Sequence, residues 1–280
     1  MIEILNKITS PFKRRIKFYK NWSKVDFSEL SHLVIFLGNP RSGTTLTRTI
    51  IDAHPNALIG NEVHILRYLQ KGETWNQIIR RLCLNHDEFA SNPIWTDYNY
   101  NIPGSKINKK KLKIVGDKRS VGTTKEFTNN PELLSQFIEW APLPIKVIRC
   151  VRNPLDVIAT KHWRNKKSLD WNIVRYFENE KKAEDLISAF KKNNTHYVYH
   201  EQLVQKPDYE LMSLLSFLEL DNQSNFIEAC KDTINPTSNL SRWRANWNET
   251  QLKKAEELTK KLPHLENYLN NNKLVFGNKK

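Results

Sequence analysis

The apolar run His32–Leu37 (HLVIFL) stops at Gly38, and the next residues are Asn39, Pro40, Arg41, Ser42, Gly43, Thr44 and Thr45. The helical pattern LTRTIIDAHP follows at once. A buried strand, a tight glycine-containing turn and a helix start leave few folds open. Such a junction aims backbone N–H groups at one spot and adds the positive end of a helix, so it suits an anion such as phosphate. Gly38 and Gly43 have the spacing of a nucleotide loop, G-x-x-x-x-G-K-[ST]. Thr44, however, stands where that loop has its lysine, and Arg41 places a cation inside the turn. The plainer alternative is a βα turn whose helix is capped by Ser42 or Thr44.

The alternation continues along the chain. Lys113–Val115, Ile145–Val151 (IKVIRCV) and Tyr197–His200 read as further strands, and Asn172–Phe190 and Tyr209–Leu218 as amphipathic helices. Strands separated by helices build βαβ units. The expected fold is therefore α/β, a mostly parallel central sheet with helices on both faces. With 280 residues and neither a repeat nor a long linker, one domain over 31–280 is expected, preceded by a basic arm over 1–30. Residues 1–24 hold seven basic side chains and one acid, Glu3, interleaved with Phe12, Phe18, Tyr19 and Trp22, which reads as a solvated arm. Asn92–Lys111, with Pro103-Gly104 and the run Lys109–Lys111, reads as a surface excursion near a site.

Several function classes are disfavoured. The longest apolar run, Leu33–Leu37, falls far short of the roughly 18 residues needed to cross a bilayer, and charges interrupt the first residues where a secretion signal would be apolar. Cys83, Cys150 and Cys230 are odd in number and far apart, which fits neither a disulfide framework nor a zinc site. Cys150 lies in an apolar run and reads as core. A cytoplasmic protein without stable membrane insertion is expected. The formal charge of +14 implies an anionic partner, but no nucleic-acid-binding motif accompanies it.

The strand IKVIRCV runs into Arg152-Asn153-Pro154, where Asn153 suits an N-cap and Pro154 a first helical position. Arg152 thus stands at a strand's C-terminal end, where α/β proteins bind ligands, with Thr160 about two turns on. The alternative is a surface ion pair of Arg152 with Asp156. Taken together, PRSGTTLTRTIIDAHP and the Arg152…Thr160 pair resemble the two phosphate motifs of sulfotransferases that use 3′-phosphoadenosine 5′-phosphosulfate (PAPS). The similarity is to the branch containing tyrosylprotein sulfotransferases and many bacterial enzymes. The resemblance implies a P-loop-like sulfotransferase fold. It also implies that Arg41, Ser42, Gly43, Thr44 and Thr45 bind the 5′-phosphosulfate, and that Arg152 and Thr160 bind the 3′-phosphate. Thr160 departs from the family's usual serine but keeps the hydroxyl. LSRWRANW resembles the family's C-terminal segment, in which a basic residue closes over the cofactor: Arg242 first, Arg244 next. YHEQL resembles a segment where a tyrosine precedes Glu-x-Leu; here His200 stands there, with Tyr199 one residue earlier, and neither is assigned a role.

Sulfuryl transfer requires a group that takes the acceptor's proton and positive charge at the leaving oxygen. Gly60-Asn61-Glu62-Val63-His64 offers two bases. Glu62 lies twenty-one residues after Arg41, in register with the catalytic glutamate of tyrosylprotein sulfotransferases, whose Gly-Glu-Glu is here Gly-Asn-Glu. His64 is the competitor, because imidazole suits base work near pH 7. Lys118 in IVGDKRS matches the family lysine at the bridging oxygen; pairing with Asp117 as an exposed lysine is its alternative. The expected reaction moves the sulfuryl group of PAPS to a hydroxyl or amine of a small acceptor, releasing 3′-phosphoadenosine 5′-phosphate (PAP), with no metal required. A P-loop kinase is the rival, as is tyrosine-peptide sulfation within the family.

Overall fold

The computed structural model describes residues 21–95, 98–102, 109–190, 192–236, 239–271 and 273–275. Residues 1–20 of the expected arm and Pro103-Gly104 lie outside the described residues. In chain order the elements begin with β1 His32–Leu37, α1 Thr44–Ala53, β2 Ala57–Asn61, α2 Ile65–Leu69, α3 Trp75–Ser91, β3 Ile94–Trp95, β4 Tyr98–Asn99 and β5 Ile114–Lys118. They continue with α4 Val121–Asn129, α5 Pro131–Trp140, β6 Ile145–Val151, α6 Pro154–Asn165, α7 Leu169–Ile187, β7 Thr195–Tyr199 and α8 His200–Gln205. The last are α9 Pro207–Phe217, α10 Ser224–Thr233, α11 Glu249–Lys260, β8 Leu269–Asn270 and β9 Lys273–Leu274.

Five strands form a parallel sheet in the order β2-β5-β1-β6-β7. Side chains alternate across a strand, and β1 shows the consequence. Leu33, Ile35 and Leu37 enter one apolar cluster, while Val34 and Phe36 enter the cluster on the opposite face. All three central strands are buried along their described length except at His32, so HLVIFL reads as a continuous apolar run. From β1 the chain winds first toward β2 and β5, then crosses to β6 and β7. The turns after β1, β5 and β6 therefore open on the crevice where the winding direction reverses, the ligand position of open α/β sheets.

Four points depart from the sequence expectations. β5 starts one residue later than expected and runs through Lys118, which is thus a strand residue and not one beyond it. β2, unforeseen, is an edge strand of five residues ending in Gly60-Asn61, too short a run to stand out from its turn. Within the Lys109–Lys111 run, Lys110 and Lys111 are exposed as expected but Lys109 is buried, and its Nζ donates to the carbonyls of Asp52, His54 and Ala57, capping the C-terminus of α1. Burial lowers its pKa to about 8. Residues 21–30, grouped with the arm by sequence, include Trp22, which is buried in the core with its Nε1 donating to Asp87. Cys83, Cys150 and Cys230 are buried free thiols. Among the described residues no helix is long and apolar enough to cross a membrane.

Candidate active site

The turn after β1 is held from behind and open in front. Gly38 N–H donates to Thr124 Oγ1, and the buried Asn39 amide donates to the Tyr176 carbonyl and to Glu180 Oε1 on α7. Beyond Pro40 the backbone turns through left-handed conformations at Arg41 (φ 71°) and Gly43 (φ 87°). Gly43, not Ser42 or Thr44, occupies the N-cap of α1, and no side chain caps that helix. The first-turn N–H groups are thereby left to a bound anion. A side chain at Gly43 would also meet His200: a Cβ there lies 3.0 Å from its Nδ1. Ser42 Oγ is buried and has no partner among the described residues.

Across the crevice, Asn153 caps α6 by accepting from the Leu155 N–H at 3.0 Å, with Pro154 in the first turn. This fixes Arg152 at the mouth. Its guanidinium donates to the carbonyls of Arg41 and Asn239, its Nε has no partner among the described residues, and Asp156 lies 3.9 Å away. The pairing of Arg152 with Asp156 weighed from sequence is thus a loose one. Asp156 instead accepts from the backbone N–H, Nε and Nη2 of Arg242, at 2.8, 3.0 and 2.5 Å. Two turns along α6, the Thr160 hydroxyl is buried without a partner among the described residues.

Arg242, expected to close over the cofactor, is therefore committed to buried Asp156 and to the Val275 carbonyl, and it does not line the cavity. Arg244 does, together with Ser241. The physical reason is the 3₁₀ turn Ser241–Arg244. At three residues per turn, positions 241 and 244 share a side, whereas 242 points elsewhere.

The third group stands where β2 and β5 end side by side, with Asn61 opposite Lys118. Lys118 Nζ is buried and lies 3.0 Å from Glu62 Oε1, so its partner is Glu62 and not Asp117. Burial lowers the lysine's pKa, and Glu62 partly offsets the effect. Asp117, one residue earlier and on the other face, accepts the N–H groups of Val63, His64 and Ile65. It locks the turn in which Glu62 (φ 59°) and His64 (φ 67°) are both left-handed. Burial raises the Asp117 pKa despite those three donors. Sequence reasoning treated Asp117 only as a partner for Lys118 and missed this positioning role.

A cavity of about 510 Å³ joins the three groups. Arg41, Thr44, Thr45, Glu62, Lys118, Arg152, Thr160 and Arg244 line it; His64 and Arg242 do not. Burial, reinforced by Arg164, lowers the pKa of Arg41. His200 also lines the cavity, and burial beside Arg152 drives its pKa down to about 3, so it is neutral. Tyr98 and Tyr100, in the Asn92–Lys111 segment expected near a site, complete the wall together with Trp163 and Arg164 from α6, which the sequence analysis did not single out. The available signal was spacing: Trp163 and Arg164 are three and four residues past Thr160 on one helix. Among the described residues no three His, Cys, Asp or Glu side chains converge as metal ligands would.

A family model described as a sulfotransferase domain matches residues 31–265. Two solved structures share the fold. The sulfotransferase domain from the curacin biosynthetic pathway is 15% identical over 84% of this chain and 98% of its own, with a TM-score of 0.55. The sulfotransferase domain from the Synechococcus PCC 7002 olefin synthase is 18% identical over 84% of this chain and 97% of its own, with a TM-score of 0.51. No curated protein sequence matches the chain.

Proposed function

This chain belongs to the sulfotransferase domain family, and we propose that its cavity takes PAPS as donor and a small hydroxyl or amine compound as acceptor. One observation carries the donor. Of the buried polar atoms without a partner among the described residues, four gather at this site: Ser42 Oγ in the loop, and Arg152 Nε, Thr160 Oγ1 and His200 Nδ1 on residues of the cavity wall. Each such group costs about 1–3 kcal/mol unless a ligand satisfies it. A donor with phosphate at both ends fits that set.

The loop residues Arg41, Ser42, Gly43, Thr44 and Thr45 hold the 5′-phosphosulfate, and Arg152 and Thr160 hold the 3′-phosphate, with Arg244 in the place expected for Arg242. The bound donor supplies an electrophilic sulfuryl group on a departing phosphate oxygen. Glu62 takes the acceptor's proton, since its carboxylate opens on the cavity and is held by Lys118. The Lys118 ammonium and the Arg41 guanidinium neutralise charge at the departing oxygen. His64 lies outside the cavity wall, which favours Glu62 over it as the base. The free state of all three cysteines supports work in a reducing, cytoplasmic compartment.

Thermal unfolding with ligands tests the donor. PAP at a hundred times its Kd should stabilise the protein by about 2.7 kcal/mol. ATP–Mg²⁺ and oligonucleotides should not. Stabilisation by ATP–Mg²⁺ instead would favour a kinase.

A further inference from the structure

Large apolar side chains that the core leaves out gather around the cavity mouth. On one side Tyr98 lines the cavity and is exposed. Beside it Ile94, paired with the cavity-lining Asn99 across the β3–β4 ribbon, is 62% exposed. On the other side Trp163, near the end of α6, lines the cavity and is 61% exposed. The exposed Trp171 and Val174 follow on the outer face of α7, whose inner face is filled by Leu169, Ile173, Tyr176 and Phe177.

The corner between α6 and α7 is braced and basic. Lys166 ends α6 in a left-handed conformation (φ 59°), and Ser168 caps α7 by accepting from the Trp171 N–H. The buried Asn172 amide donates to the carbonyls of Lys167 and Ser168, tying the turn to α7. Lys166 and Lys167 are thereby held out in solvent, with the Lys166 ammonium 5.0 Å from the centre of the Trp163 ring. Residues 161–178 carry five basic side chains and two acids. Both acids are engaged: Asp170 accepts from Gln251, and Glu178 pairs with Arg175.

We propose that this corner docks on an anionic lipid surface, with the cavity mouth turned toward it. Tyrosine and tryptophan rings sit at headgroup depth, and lysine stems lie along apolar surface while their ammonium groups reach the lipid phosphates. A protein partner fits less well, because lysine is depleted from protein–protein interfaces and here lysines stand among the aromatics. The docking does not depend on the donor assignment, so either can fail alone.

Cosedimentation of the full chain with phosphatidylcholine vesicles, with and without phosphatidylglycerol, tests it. Binding should require phosphatidylglycerol and weaken as salt is raised. Replacing both lysines, Lys166→Gln with Lys167→Gln, should weaken it about twenty-five-fold, the joint worth of two cations near an anionic bilayer. The thermal unfolding temperature should stay where it was. Bromine-labelled lipid should quench tryptophan fluorescence, and Trp163→Phe and Trp171→Phe should each remove part of that quenching. No binding, equal binding with and without phosphatidylglycerol, or equally tight binding to polyglutamate overturns the proposal. So does binding that survives the double lysine substitution, which would then belong to the basic residues of 1–20, and so does quenching unchanged in both tryptophan variants.

Discussion

Two buried ion-pair clusters flank the same phosphate loop, built from the same kinds of residue and finished differently. At the core end, Glu180 of α7 accepts from Arg149 at 2.7 Å, Asn39 at 2.8 Å and His264 at 2.9 Å, and both members of the Arg149–Glu180 pair are about 1% exposed. Burial pushes the Glu180 pKa up, but Arg149, His264 and Asn39 outweigh it and bring it down to about 2. At the cavity end, Lys118 is equally buried but has one carboxylate partner, Glu62, which is itself 42% exposed. The first carboxylate is shut away from solvent among three donors and holds the loop through Asn39. The second opens on the cavity, facing the space where a reactant would sit. Exposure of the carboxylate, and not residue type, separates scaffold from machinery here.

The sharpest test is to break one ion pair in each cluster and compare what is lost. Glu62→Gln keeps size and most hydrogen bonding, so fold and PAP affinity should persist. Its kcat should fall about 10²–10⁴-fold, the worth of a positioned base. The loss should be severe for an alkyl alcohol and milder for an acidic phenol. A normal kcat in Glu62→Gln with an inactive His64→Ala would transfer the role to His64.

Arg149→Met should do the opposite. It leaves Glu180 buried without its cation, which costs about 3–5 kcal/mol in urea unfolding. Acid should reach the same cluster. The folded Glu180 pKa, about 2, is depressed from the ordinary 4.5, so its contribution is complete above 4.5 and lost as pH falls toward 2. Stability measured from pH 6 downward should therefore drop below pH 4.5, and the drop should shrink in Glu180→Gln.

Arg152→Ala should weaken PAP about ten- to a hundredfold, because both PAP and PAPS carry the 3′-phosphate. Unchanged affinity by calorimetry would detach Arg152 from the donor. The smallest effect expected is none: with Thr44 in the place of the kinase lysine, turnover should survive EDTA. Loss restored by Mg²⁺ would make the loop a metal–nucleotide site.

Sequence alone determined the parts of this protein that are contiguous. His32–Leu37, the loop with Arg41 and Thr44, and the Arg152-Asn153-Pro154 helix start were legible because each is a short segment whose strand pattern and turn residues agree, with a side-chain cap as well at Asn153. Tertiary structure decided everything that depends on phase between distant segments. Glu62 and Lys118 meet because β2 and β5 pair with Asn61 opposite Lys118, and a one-residue slip of β2 would turn its side chains to the face away from Lys118. Arg244 reaches the cavity and Arg242 goes to Asp156 because a 3₁₀ turn separates positions two apart by most of a revolution. One wall of the cavity draws on a two-stranded ribbon and the end of α6, elements far apart in the chain that only the tertiary fold brings to one mouth. Short-range pattern specifies conformation, whereas the meeting of side chains from distant segments is set by register and helical phase, which no local run of residues encodes.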